Sequence, residues 1–298
     1  MIFETLNNLP KEFGKNRKKP CQHKRRRSNM MLNPLQLKHL NRMDESEADM
    51  ITLNLEDAIA PSRKKEALHN IALFLSYMKE SNSFIVVRTN PINEGGDKEI
   101  EFLNEFSFDA IRVAKVKDQE DIKKALTLLS KDKELHISLE TKEAFENLTT
   151  LGIDKRLTTA NLGILDLLTS LGLPQSIVKL NNPTIDYILS KFLVDAKIAG
   201  INPISFMFQE YEDTKTFKEW CLKEKMMGFE SKACMGPKQV SIANSVFAVD
   251  RYELDRARDI KELFEKNSAQ NNNGFMDEKY GFIDEPIYRD ALLVLSNL

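Results

Sequence analysis

Five charged side chains stand where short apolar, β-branched runs give way to polar sequence: Glu56 and Asp57 in Asn54-Leu55-Glu56-Asp57, Arg88 in Arg88-Thr89-Asn90-Pro91, Glu140 in Glu140-Thr141, and Asp166. Carboxylates are hard oxygen donors. Two of them, completed by water and ligand oxygens, make the open site that Mg²⁺ prefers, and Glu140 and Asp166 are the candidate pair. An arginine beside such a pair would hold a substrate carboxylate or a developing enolate through its planar fork, which is the reading of Arg88. Each acid also has a plain structural reading. Asp57 and Asp166 precede helical sequence, so helix capping explains either one at least as well as chemistry does. Glu140 fits that explanation less well, because Glu is a poor cap and a charged group is seldom buried without a partner.

These residues need a scaffold that brings the ends of several runs together. The pattern predicts strands over residues 29–32, 49–53, 84–88, 110–113, 135–139, 158–162, 204–208 and 232–235, with helices over 35–45, 62–80, 98–106, 118–129, 142–148, 183–199 and 214–227. Pro61 and Pro183 suit first helical turns. Strands such as Phe84-Ile85-Val86-Val87 are apolar on both faces, as buried parallel strands require. Strand and helix alternate without hairpin turns, which implies parallel strands joined by right-handed crossovers. A doubly wound open sheet is the alternative, but no GxGxxG or GxxxxGK[ST] loop follows any strand. A (β/α)₈ TIM barrel with a C-terminal helical and tail extension is favoured, and in a barrel the chemistry sits at the C-terminal ends of the strands.

Composition bounds the partners. Lys and Arg total 43 against 45 Asp and Glu, so the chain as a whole carries no bias toward nucleic acid or membrane. Three scattered cysteines, Cys21, Cys221 and Cys234, suggest neither a disulfide framework nor a zinc site. No run is apolar enough to span a bilayer and no secretory core is visible near the start, so a soluble cytoplasmic protein is expected. The one local bias is Lys15, Arg17, Lys18, Lys19, Lys24, Arg25, Arg26 and Arg27. This stretch reads as a solvated arm over 1–26, with its end available to a phosphate-bearing ligand. The remaining divisions expected are a barrel over 27–250 and a C-terminal helix and tail over 251–298. The four histidines have no metal-ligand spacing, and Asn271-Asn272-Asn273-Gly274 reads as a flexible linker to the tail.

Taken in order, Arg27-Ser28, Leu55-Glu56-Asp57-Ala58 with Pro61, Val87-Arg88-Thr89-Asn90-Pro91, Leu139-Glu140-Thr141, Gly163 with Asp166, Leu171-Gly172, and Gly228-Phe229 before Lys232 form a series. So do Pro237-Lys238-Gln239-Val240 and Phe282-Ile283-Asp284-Glu285-Pro286. The series resembles the citrate lyase β-subunit family, the HpcH/HpaI aldolase and CoA-ester lyase superfamily, from about Arg27 onward. The resemblance implies a Mg²⁺-dependent carbon–carbon lyase acting on a CoA thioester of a small hydroxy- or oxo-acid, such as citryl-CoA or malyl-CoA. It places Glu140 and Asp166 on the metal, Arg88 on the oxo-acid, Glu56 and Asp57 beside the metal and its waters, and Arg27 near CoA phosphates. It further implies a homotrimer in which Asp284 reaches a neighbouring subunit's site as an acid/base group.

The chain departs from the family pattern at Leu165, where an acid is usual, at Lys142 and Ala144 after the Glu-Thr pair, at Ser205 in place of an aspartate, and at Gly236 in place of a histidine. Two further readings follow. One is a metal-dependent oxo-acid aldolase or a thioester hydrolase on the same site. The other is a catalytically impaired barrel that serves as a binding protein, its basic arm touching nucleic acid or acidic partners.

Overall fold

The protein was analysed as a computed structural model that describes residues 1–16, 21 and 25–296. Eight parallel strands curl into a nearly closed barrel: β1 (Ser28–Leu32), β2 (Met50–Asn54), β3 (Phe84–Thr89), β4 (Ala110–Val113), β5 (Glu134–Leu139), β6 (Leu157–Leu162), β7 (Asn202–Ile204) and β8 (Lys232–Cys234). Their order is β7-β6-β5-β4-β3-β2-β1-β8, and a single bridge between Ser205 and Lys232 joins the two ends. The expected strands are therefore all present. The seventh stops at Ile204 instead of running to residue 208; beyond the isolated bridge at Ser205 the chain leaves the sheet, and Phe206 is buried edge-on against Trp220.

That seam is reinforced by charge. Lys232 and Glu224 are both fully buried and pair at 2.6 Å, Ser205 Oγ donates to the same Glu224 oxygen at 2.6 Å, and the Lys232 ammonium lies 3.6 Å from the centre of the Phe206 ring. Ser205 thus leaves room for a carboxylate supplied from a helix.

The helices form where the sequence can start and stop them. Asp118 caps Gln119–Leu128 by accepting from the amides of Glu120 and Asp121. Asn182 and Pro183 open Pro183–Ile198, and Asp213 opens Thr214–Met227, which ends on Gly228 in the left-handed region (φ 104°). Two barrel helices lie outside the expected set, Ile164–Ser170 and Pro237–Val246. The lumen is filled, with an apolar plug of Met50, Val86, Ala110, Ile204 and Ala233. A buried polar layer also crosses it: Thr52 donates to Asn29, Asn29 donates to Asn161, and Arg112 donates to Ser138 and Asn161.

The start of the chain does not form a free arm. Ile2 donates to the Asn41 carbonyl, Phe3 packs edge-on against Phe74, and Gly14 donates to Ser76 Oγ. Apolar side chains in that stretch outweigh its charges. Arg17, Lys18, Lys19, His23 and Lys24 lie outside the described residues.

A second compact unit spans Ala248–Leu298. It contains helix Arg251–Ser268, an antiparallel hairpin of β9 (Gly274–Asp277) and β10 (Gly281–Asp284), and helix Glu285–Ser296. Ala257, Ile260, Phe264, Ile283 and Ala291 form its own small core. The Asn-rich run expected to be a linker is instead a helix-ending turn. The amide of Asn272 bonds back to the Asn267 carbonyl, Asn271 takes φ 63°, and Gly274 enters β9 directly.

Candidate active site at the barrel mouth

The C-terminal ends of β2 to β5 converge on one charged ring. Arg88, the fifth residue of β3, is buried and forks between two carboxylates, with Nη1 3.0 Å from Glu56 Oε2 and Nη2 2.6 Å from Glu140 Oε1. Glu56 and Glu140 are themselves almost completely buried, so the arginine is what keeps both tolerable as anions. Its Nε is buried and has no partner, leaving one donor free for an oxygen entering the mouth.

Lys115 completes the ring and was missed in the sequence reading. Its ammonium lies 2.8 Å from Glu56 Oε1 and 2.8 Å from Asp57 Oδ2, and its backbone N–H donates to Glu140 Oε2 at 3.2 Å. It follows β4 as the other site residues follow their strands, so the strand-end rule applied to Val113-Ala114-Lys115 would have found it. Burial works against the charge on Asp57, yet the hydrogen bonds with Lys115 and Glu56 and the nearby charges of Lys115 and Arg88 together outweigh it and hold the carboxyl below its ordinary value. Burial likewise disfavours the Lys115 ammonium, and Asp57 and Glu56 more than compensate, raising it.

Asp166 lies in the first turn of Ile164–Ser170 and is half-buried. Burial raises its pKa, with Asp57 and Glu56 adding to the rise while Lys115 and Arg88 oppose it. That helix starts at Gly163, against which Glu140 packs so closely that a side chain there would stand 2.6 Å from Glu140 Oε1. The structure therefore brings Glu56, Asp57, Arg88, Glu140 and Asp166 into one electrostatic group.

Whether this set suits a divalent cation can be judged from charge and donor type. Four carboxylates face Arg88 and Lys115, with Arg112, which burial pushes down to about 9, beneath them. Negative charge is in excess. Among the described residues no three His, Cys, Asp or Glu side chains form a ready-made cage, so a metal here would keep several oxygens from water or ligand, as Mg²⁺ does. The residues fit that group.

Arg27 is not part of the assembly. It immediately precedes β1, at the opposite rim of the barrel, and its Nε and Nη2 both engage Asp49, at 2.8 and 2.9 Å. Its fork is paired with a carboxylate, away from the charged ring at the strand ends. Asp284 belongs to the second unit, where it ends β10 and accepts from the Ile287 amide at 3.3 Å, capping the last helix.

The departures from the family pattern have local causes. Leu165 packs against the hydrophobic core. Lys142 is exposed at the start of helix Lys142–Asn147, its amide donating to Ser170 Oγ. Gly236 makes room for Tyr211, whose ring atoms would lie 3.0 Å from any Cβ at that position.

A family model described as HpcH/HpaI aldolase/citrate lyase matches residues 27–237. The chain belongs to that family. Relatives within reach of it include a (3S)-malyl-CoA thioesterase of Cereibacter sphaeroides, 28% identical over 220 residues, covering 74% of this chain and 76% of the relative. An L-malyl-CoA/beta-methylmalyl-CoA lyase of Rhodobacter capsulatus is 24% identical over 257 residues, covering 77% and 81%. Among solved structures, CitE of Mycobacterium tuberculosis in complex with magnesium, acetoacetate and coenzyme A superposes with a TM-score of 0.69 at 16% identity, covering 91% of this chain and 97% of that one. The HpcH/HpaI family thus includes CoA-ester lyases and a thioesterase. No helix among the described residues is long and apolar enough to cross a membrane.

Proposed function

We propose that the protein is a Mg²⁺-dependent lyase that cleaves, or in reverse forms, a carbon–carbon bond in a CoA thioester of a small hydroxy-acid, with malyl-CoA and citryl-CoA as the substrate types. The carrying observation is the ring in which Arg88 bridges Glu56 and Glu140 while keeping Nε unpaired. Glu140 and Asp166 would hold the metal. Bound there, Mg²⁺ supplies Lewis-acid stabilisation of negative charge on the substrate oxygens. Arg88 directs its free N–H at the oxo-acid end, and its two ion pairs hold Glu56 and Glu140 in place. Glu56 and Asp57, fixed by Lys115, order water beside the acid. Cleavage needs a base for the hydroxyl proton and an acid for the departing enolate carbon. Asp284 of a neighbouring copy fills that role, which makes a homo-oligomer, a trimer in this reading, the active form.

A thioesterase is the second reading, favoured by the Cereibacter relative. The two differ in which bond breaks. Lysis of malyl-CoA releases glyoxylate and leaves acetyl-CoA with its thioester intact, whereas hydrolysis releases malate and a free CoA thiol. Incubation with malyl-CoA and Mg²⁺ is expected to yield glyoxylate without free thiol. Thiol without glyoxylate would replace the lyase by the hydrolase.

A further inference from the structure

Lys115 has a geometry that a surface lysine does not need. It takes a positive φ of 49° although it carries a side chain, a conformation costing roughly 1 kcal/mol or more for a non-glycine residue. That backbone turn aims its N–H at Glu140 and returns its side chain across the mouth to Glu56 and Asp57. Only 34% of the side chain is exposed, although nothing in the apolar core requires a cation there. The Lys115 charge also acts on Asp166, opposing the rise that burial causes there. One lysine therefore touches Glu56 and Asp57 with its ammonium, donates its backbone N–H to Glu140, and acts on Asp166 through space.

We propose that Lys115 is a resident counter-charge that sets the affinity of the mouth for Mg²⁺. The inference rests on the reading that Glu140 and Asp166 hold the metal. A fixed positive charge among the carboxylates neutralises part of the field that would attract a divalent ion, so the mouth binds Mg²⁺ weakly by itself. An oxo-acid carboxylate restores the missing negative charge. Metal and acid are then taken up together, each raising the affinity for the other by the same factor. Lys115 is a positioning residue in this scheme.

The sign separates this role from a merely structural one. If Lys115 only braces Glu56 and Asp57, its removal loosens the ring and weakens Mg²⁺. If it is a counter-charge, its removal tightens Mg²⁺. Isothermal titration of the full-length protein with MgCl₂ compares wild type with Lys115→Met, Lys115→Gln and Lys115→Arg, circular dichroism confirming the fold. Lys115→Gln keeps a hydrogen-bonding end and guards against collapse of the ring. The expected result is an affinity about five- to tenfold tighter in Lys115→Met and Lys115→Gln, with Lys115→Arg within about twofold of wild type. Unchanged or weaker binding in Lys115→Met and Lys115→Gln would overturn the counter-charge. No binding by any of the four proteins would overturn the metal reading itself.

Discussion

Gly163 and Glu140 are in direct contact: a β-carbon on Gly163 would stand 2.6 Å from Glu140 Oε1, well inside van der Waals range. The backbone there has φ −91°, so space and not conformational freedom demands glycine. Gly163→Ala should push Glu140 away from Arg88 while leaving the barrel folded. The expected outcome is a fall in kcat/KM of about 10- to 100-fold, with a circular dichroism spectrum like that of wild type. Activity within twofold of wild type would show that the contact does not hold Glu140 in its working position.

Arg88 pairs with two buried carboxylates, and removing it strands both. Arg88→Met should destabilise the fold by about 3–5 kcal/mol, read by urea denaturation, because Glu56 and Glu140 remain buried. Lys115 still contacts Glu56, so Glu140 takes the larger share of that loss. Arg88→Lys should not restore activity, since a point charge cannot fork between Glu56 Oε2 and Glu140 Oε1. A loss below about 1 kcal/mol in Arg88→Met would mean that water already solvates the ring.

The lower barrel carries its own pH dependence. Burial pushes His136 down to about 4. Glu134 opposes that fall and is itself held at about 2, hydrogen bonds from His136 and Arg26 outweighing its burial. A histidine whose folded pKa lies below its ordinary 6.5 is bound neutral, so its stabilising share is complete above pH 6.5 and is lost as pH falls toward 4. Between pH 7 and 5 this amounts to about 2 kcal/mol. Urea midpoints for wild type should drop across that interval. In His136→Gln they should drop less, and equal slopes would contradict the assignment.

Much of the barrel was legible because its signals are local. Strands such as Phe84–Thr89 are apolar on both faces, and Asp213 and Gly228 mark both ends of Thr214–Met227. The bounds of the short helix carrying Asp166 were not: the helix starts at Ile164, so Asp166 lies inside its first turn and not ahead of it, and seven residues hold too few periods to declare an apolar face. The same held for the β9–β10 hairpin, whose turn at Asp277–Gly281 lacks the usual Asn-Gly pair. At the mouth, Glu56, Arg88 and Glu140 were legible from strand ends. Lys115 follows β4 by the same rule, but the left-handed backbone that turns it across the mouth was announced by no glycine. The pairing of Arg27 with Asp49 was equally hidden, because the two are distant enough in sequence that only the register of β1 with β2 brings them together.

The trans role proposed for Asp284 predicts complementation. Asp284→Asn and Glu140→Ala are each expected to be inactive as pure oligomers. Co-refolded in mixed oligomers, they should recover a fraction of wild-type activity, because some sites then combine an intact Glu140 with an intact Asp284. Asp284 also caps the last helix, and Asn keeps that acceptor, so loss of fold is not the expected cause of inactivity. Full activity of Asp284→Asn, or no recovery in mixtures, would remove Asp284 from the chemistry.

The most direct measurement is a Mg²⁺ titration of carbon–carbon cleavage, read as release of the oxo-acid from malyl-CoA or citryl-CoA, in wild type and in Glu140→Ala. Wild type should show saturable Mg²⁺-dependent cleavage of at least one of them, abolished by a chelator, and Glu140→Ala should lose about 100-fold or more. Absence of Mg²⁺-dependent cleavage of either substrate by wild type, or equal cleavage by Glu140→Ala, would contradict a metal-dependent lyase built on Glu140 and Asp166.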